Sequence, residues 1–232
     1  MAKQETAFII GVGPKLSASL ARLFAAEGMA LVLGARDVGK LDALARETDA
    51  ARFACDVVEP DSVKAFFKDA VADKGVPDVV VFNPSARTRG PFVEQDADEV
   101  KRAILITCYG GFLVGQEAAK LMLDQGSGSI LFTGASASVK GYAQSASFAM
   151  GKFGLRGLAQ SMARELAPKN IHVAHFVIDG GIGDAGDPRA GKRGDDGLLH
   201  PDAIAQSYLN IHRQHRSAWT WEVEMRPWVE SF

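Results

Sequence analysis

The residues Gly11 to Ser17, GVGPKLS, follow a short apolar run, TAFII, and lead into a helical pattern, SASLARLFAAEG. Glycines at a strand-to-helix turn let backbone N–H groups and the positive end of a helix face a pyrophosphate. Gly11, Gly13, Lys15 and Leu16 are therefore read as a phosphate turn, in the position after a first strand that such a fingerprint requires. The second apolar run ends in Gly34-Ala35-Arg36-Asp37, about twenty residues further on, where the adenosine ribose of a dinucleotide lies. An acidic residue at that tip binds the ribose 2′-hydroxyl, whereas an arginine pairs with a 2′-phosphate. Ala35 followed by Arg36 favours NADP(H) over NAD(H); the plainer alternative is an exposed arginine beside an N-capping Asp37.

Other chemistries find less support. His172 and His175, three apart in a strand pattern, point to opposite faces. His212 and His215 share a helical face with no third ligand spaced to join them, so no metal site is expected. No G-x-S-x-G elbow is present, which removes the nucleophilic-serine hydrolases. Cys55 and Cys108 belong to no closely spaced ligand set and fit a reducing, cytoplasmic setting.

Elements that position these residues follow from periodicity. Short β-rich runs at 6–10, 30–34, 51–55, 78–82, 129–133 and 172–178 alternate with helical patterns near 15–27, 38–48, 60–73, 96–122 and 145–167. A last helix near 201–213 and a strand near 219–225 complete the series. This alternation predicts an α/β, Rossmann-like, doubly wound parallel sheet of about seven strands with helices on both faces. The 232 residues suit a single domain over 1–232. With 26 basic and 28 acidic side chains, the net charge of -2 attracts neither nucleic acid nor an anionic membrane. The opening Met-Ala-Lys-Gln-Glu lacks the pattern of a signal peptide, and no apolar run approaches the ~18 residues of a membrane span, so a soluble protein is expected.

One segment breaks the composition: 179–197, DGGIGDAGDPRAGKRGDDG, holds seven glycines and five aspartates. It follows the sixth strand, where open α/β sheets bind ligands, and residues 183–197 are expected to form a mobile lid rather than a plain surface loop.

Nearly the whole chain resembles the short-chain dehydrogenase/reductase family. The match rests on the glycine turn at 11–17, Asp56-Val57, Asn83-Pro-Ser-Ala86, Asp179-Gly-Gly-Ile182 and, most specifically, the Lys152 helix SFAMGKFGLRGLAQSMARELAP. The resemblance implies that Asp56 and Val57 contact adenine, that Asn83 and Lys152 border the cofactor, and that Gly180 and Ile182 meet the nicotinamide. The departures concern the reaction itself. The family's Tyr-x-x-x-Lys pair is here Phe148 and Lys152, and phenylalanine has no proton to give. The family's serine position falls on Ala135, with Ser136 one residue away as the candidate carbonyl-polarising group and Ser138 close by; its helical asparagine aligns with Thr107. Tyr142 and Tyr109 are the nearby phenols, each more simply a packing aromatic, and Arg87 is either a contact for an anionic substrate or an exposed loop arginine.

An NADP(H)-dependent oxidoreductase of a small molecule with an atypical active site is thus expected. The alternative is a dinucleotide-binding pseudoenzyme that senses or scaffolds. Small residues at Thr107, Cys108, Gly110, Gly111, Gly115, Ala149 and Gly151 lie on the helices through which the family forms dimers and tetramers, which implies a homodimer or homotetramer.

Overall fold

In the computed structural model, residues 4–184, 186–194 and 196–230 are described. Seven parallel strands form one sheet: β1 (Thr6–Ile10), β2 (Ala30–Ala35), β3 (Ala51–Ala54), β4 (Val79–Phe82), β5 (Gly128–Thr133), β6 (Ile171–Ile178) and β7 (Glu222–Met225). Their order is β3-β2-β1-β4-β5-β6-β7. All of β1, β4 and β6 is buried, which is why these strands read as continuous apolar runs rather than alternating ones. The edge strand β3 does alternate, with Arg52 and Ala54 exposed.

One face is covered by α1 (Leu16–Ala26), α2 (Asp42–Thr48) and α8 (Pro201–His212), packed through Leu20, Phe24, Ala45, Ile204 and Tyr208. The other is covered by α3 (Pro60–Lys74), α5 (Gly110–Gln125) and α6 (Ala146–Leu166), through Phe66, Val114, Leu155 and Ala159. A short α7 (Ala190–Arg193) lies between β6 and α8.

The helical pattern expected over 96–122 is divided. Asp96 caps α4 (Ala97–Ile104) by accepting from the Glu99 N–H at 2.9 Å, and a π turn over Leu105–Tyr109 separates α4 from α5. A π turn inserts a residue without breaking the helix, so the 3.6-residue pattern continues on both sides and conceals it. Thr107 in this turn is fully buried against Gly151 of α6, where an added Cβ would come within 2.9 Å of the Thr107 Cβ. The small residues offered by the sequence for a seam between subunits are largely used inside the chain: Gly110 meets Val57, Gly111 meets Leu155 and Gly154 meets Cys108. Larger apolar side chains, Phe112, Leu123, Met150 and Phe153, are the ones that α5 and α6 leave exposed. Among the described residues no helix is long and apolar enough to cross a membrane.

Candidate active site

The strand order reverses between β1 and β4, and the crevice outside their carboxyl ends is where doubly wound sheets bind ligands. Gly11 leaves β1 with φ +81°, and a Cβ there would stand 2.6 Å from the Pro84 ring, so both conformation and space require glycine. Its N–H and that of Val12 donate to Gly34 O at 2.9 and 3.2 Å. Around Gly13 an added Cβ would meet nothing within 4 Å, which leaves open space beside the start of α1. The helix carries no side-chain cap and no acid in its first turn, so its free N–H groups remain available to an anion. Leu16 contributes backbone only, its side chain being buried in the core. Asn83 donates to the Ser17 hydroxyl at 2.6 Å, which donates to Gly11 O at 3.2 Å; this ties the ends of β1 and β4 together.

The crevice holds a cleft of about 420 Å³ lined by Gly11, Arg36, Asp56, Val57 and Asn83 from the sequence reading. It is also lined by Ala86, quoted there only within its motif, by Cys55, and by Lys40 and Ile106, which that reading passed over. Lys40 had a signal: it lies four residues after Arg36 on the 3-10 turn Val38–Leu41, paired with Asp37 at 3.3 Å. Burial pushes the Cys55 thiol up to about 12, which keeps it unreactive at the cleft wall.

Lys152 is 2% exposed and donates from Nζ to Thr133 O at 2.6 Å. Burial pulls its ammonium down to about 7. Phe148, one helical turn earlier, is half-buried, and the Arg87 guanidinium lies over its ring at 5.3 Å. Thr107 does not offer a free hydroxyl: its Oγ1 accepts from Ala86 N at 3.1 Å and donates to Ala86 O at 3.4 Å. Ser136 is half-buried at the head of the turn Ser136–Ser138, and its side chain makes no hydrogen bond to a described residue. Tyr142 and Tyr109 are exposed, the latter stacked on Phe112.

Ser138 is fully buried, accepts from Ala135 N at 3.1 Å, and lies 3.2 Å from His175 Nε2. His175 Nδ1 is 3.1 Å from Glu222, which Arg156 of α6 grips with two hydrogen bonds at 2.6 and 2.8 Å. Burial lowers His175 to about 4, so the imidazole is neutral at ordinary pH. Sequence reasoning missed this chain because Glu222 lies on β7, 47 residues beyond His175.

Lys15 turns away from the open space and donates to Ile182 O at 3.0 Å and to Asp187 at 2.6 Å. Arg189 joins the same two groups and, together with Lys15, holds the Asp187 carboxyl far below its usual range. The expected lid, 183–197, includes Ala185 and Asp195, which lie outside the described residues. Asp187→Asn should cut the strap between Lys15 and this segment. Amide exchange across 186–194 is expected to accelerate severalfold, and unchanged exchange would show that the strap orders nothing.

A parallel sheet that switches direction over a glycine turn, with an arginine at the tip of its second strand, defines a dinucleotide-binding α/β protein. Within that class the chain belongs to the short-chain dehydrogenase family, whose model matches residues 5–182. It is 33% identical over 183 residues to a trans-4-hydroxycyclohexanecarboxylate dehydrogenase of Sinomonas cyclohexanicum, covering 73% of this chain and 70% of that one. A solved short-chain dehydrogenase from Rhodopseudomonas palustris superposes with a TM-score of 0.84 at 38% identity, over 98% of this chain and 100% of the other. A metagenomic short-chain oxidoreductase in complex with NADP gives 0.83 at 28% identity, over 96% and 97%.

Proposed function

We propose that the protein is an NADP(H)-dependent oxidoreductase that converts a small alcohol or carbonyl compound without the family's tyrosine. Arg36 carries this reading: it lines the cleft at the tip of β2, with Lys40 nearby and no acid in the Ala35 position. Similarity to an NADP-bound oxidoreductase supports the same choice of dinucleotide. Likeness to a hydroxycyclohexanecarboxylate dehydrogenase supports a small cyclic or branched substrate.

The residues present fit the dinucleotide. Gly13 and the uncapped start of α1 would take its phosphates, Arg36 its 2′-phosphate, Asp56 and Val57 its adenine, and Gly180 with Ile182 its nicotinamide end. When bound, it supplies or accepts a hydride. Asn83, fixed by Ser17, keeps the floor of the cleft rigid. Lys152, enclosed and donating to Thr133 O, would act through its charge rather than by touching the substrate, and with no phenol at 148 the proton for the reduced oxygen comes from water. In this reading the segment 183–197, which follows β6, acts as the lid.

A dinucleotide-binding pseudoenzyme remains the second reading, favoured by the missing phenol at 148 and by the Thr107 hydroxyl being engaged with Ala86. The chain is read as one cytoplasmic domain that assembles as a dimer or tetramer through the apolar side chains exposed on α5 and α6.

Calorimetric titration tests the cofactor. NADPH should bind the parent protein more tightly than NADH, and Arg36→Ala should weaken NADPH about tenfold, the lower end of a charge-assisted pair of ~1.5 kcal/mol, while leaving NADH unchanged. Equal affinities in the parent would overturn the role of Arg36. Tight NADPH binding with no turnover across a panel of carbonyl substrates would select the pseudoenzyme.

A further inference from the structure

The loop that leaves β4 lines the cleft with Pro84, Ser85 and Ala86 and then carries two arginines. Arg87 and Arg89 are both exposed, and neither forms an ion pair with a described residue. Partial burial, with the like charge of Arg89 added to it, lowers the Arg87 guanidinium from its usual value. Two like charges side by side without a counter-charge form an unfavourable arrangement that a folded surface ordinarily relaxes by turning one side chain away.

Here the loop is held in place. Thr107 takes both backbone groups of Ala86. Ser147, fully buried beside Phe148, takes the N–H of Thr88 at 3.0 Å and lies 2.9 Å from its hydroxyl. Gly90 N donates to Gln144 O, and Gln95 donates to Gly90 O. Four attachments in five residues fix the backbone, and the guanidinium of Arg87 then rests on the Phe148 ring, a cation on an aromatic face. That ring stands in the place of the family's proton-donating phenol, and Ala86 at the start of the same loop lines the dinucleotide cleft. The unpaired charge thus lies on the ring that replaces the phenol, on a loop whose first residues line the cleft.

We propose that Arg87, held over Phe148 with Arg89 beside it, is the docking point for a carboxylate carried by the substrate. A planar guanidinium presents a fork of donors matched to a carboxylate, and the apolar body of the same molecule can lie against the exposed part of the Phe148 ring. The assignment rests on the oxidoreductase reading for the word substrate, but not for the binding it claims.

The test uses binding rather than turnover, with cyclohexanecarboxylate as probe and cyclohexanecarboxamide as its neutral counterpart of nearly equal shape. Titrated into the full-length protein with saturating NADPH, the carboxylate should bind at least tenfold more tightly than the amide. Arg87→Gln should erase that difference, Arg87→Lys should restore part of it, and NADPH affinity should stay the same in both variants. Equal binding of the two probes to the parent, or a carboxylate preference that survives Arg87→Gln, overturns the proposal. So does a tenfold loss of NADPH affinity in Arg87→Gln, because the cation would then serve the dinucleotide. If the parent binds no NADPH at all, the oxidoreductase reading falls, and the same comparison of probes on the protein alone still decides Arg87.

Discussion

Phe148→Tyr should raise the rate of NADPH-dependent reduction of a reactive diketone about 30-fold. A fully positioned acid contributes about 10² to 10⁴ in rate, and this one would be only partly supported. The support present is Lys152, one turn along α6, whose charge favours the phenolate. The support lacking is a relay: the Thr107 hydroxyl is bound to Ala86, and Ser138 is sequestered with His175. The new hydroxyl adds one atom to a half-buried ring, so the fold should be undisturbed. Steady-state kinetics at saturating NADPH would measure the gain in kcat. No gain over a parent that already reduces diketones briskly would mean that another group is sufficient as acid.

Lys152→Met should make the protein more stable while abolishing turnover. The ammonium is fully enclosed and donates to one backbone carbonyl, and burial lowers it from 10.5 to about 7. Unfolded chains bind the proton up to 10.5 and folded ones only to about 7, so stability rises with pH across that window and the penalty is complete below it. At about 1.4 kcal/mol per unit, the enclosed charge costs roughly 5 kcal/mol at pH 6. Losing the hydrogen bond to Thr133 O returns about 1 to 2 kcal/mol of that. A net gain of about 3 to 4 kcal/mol corresponds to a Tm higher by roughly 6 to 16 °C at pH 6, and to little or none at pH 10. Thermal melts at the two pH values would show the difference; a Tm at pH 6 that stays level or falls would mean that the lysine is better solvated than its enclosure implies.

The sheet, its parallel strands and both helical layers were legible because apolar runs and 3.6-residue patterns alternate up to the glycine-rich segment 179–197. The cleft was legible too, since Gly11, Arg36, Asp56, Val57 and Asn83 sit at strand ends, and strand ends gather where the sheet changes direction. Side-chain commitments were not. Lys15 is adjacent in sequence to the phosphate turn, yet its ammonium is held by Asp187, 172 residues away. Thr107 aligned with a polar relay position and is occupied by a loop, through a π turn that leaves no mark on periodicity. Arg87 reads from the sequence either as a substrate contact or as a surface residue, and only three-dimensional packing puts it on the Phe148 ring. Local pattern fixes where a backbone goes; which of several partners a long side chain takes depends on contacts across the whole fold.

The grip of Arg156 on Glu222 has a bearing on how the molecule comes into being. During synthesis the first β-α units emerge early and can form the glycine turn, the Arg36 tip and Asn83 by pairing near neighbours. The helix carrying Lys152 follows, but its Arg156 finds no carboxylate until β7 has left the ribosome and added itself beside β6. Parallel pairing of this kind is slow, because the connecting segment must be closed before the contact is gained. Nascent chains would then pass through a stage with β1 to β4 paired while the Ser138–His175–Glu222 chain is still open.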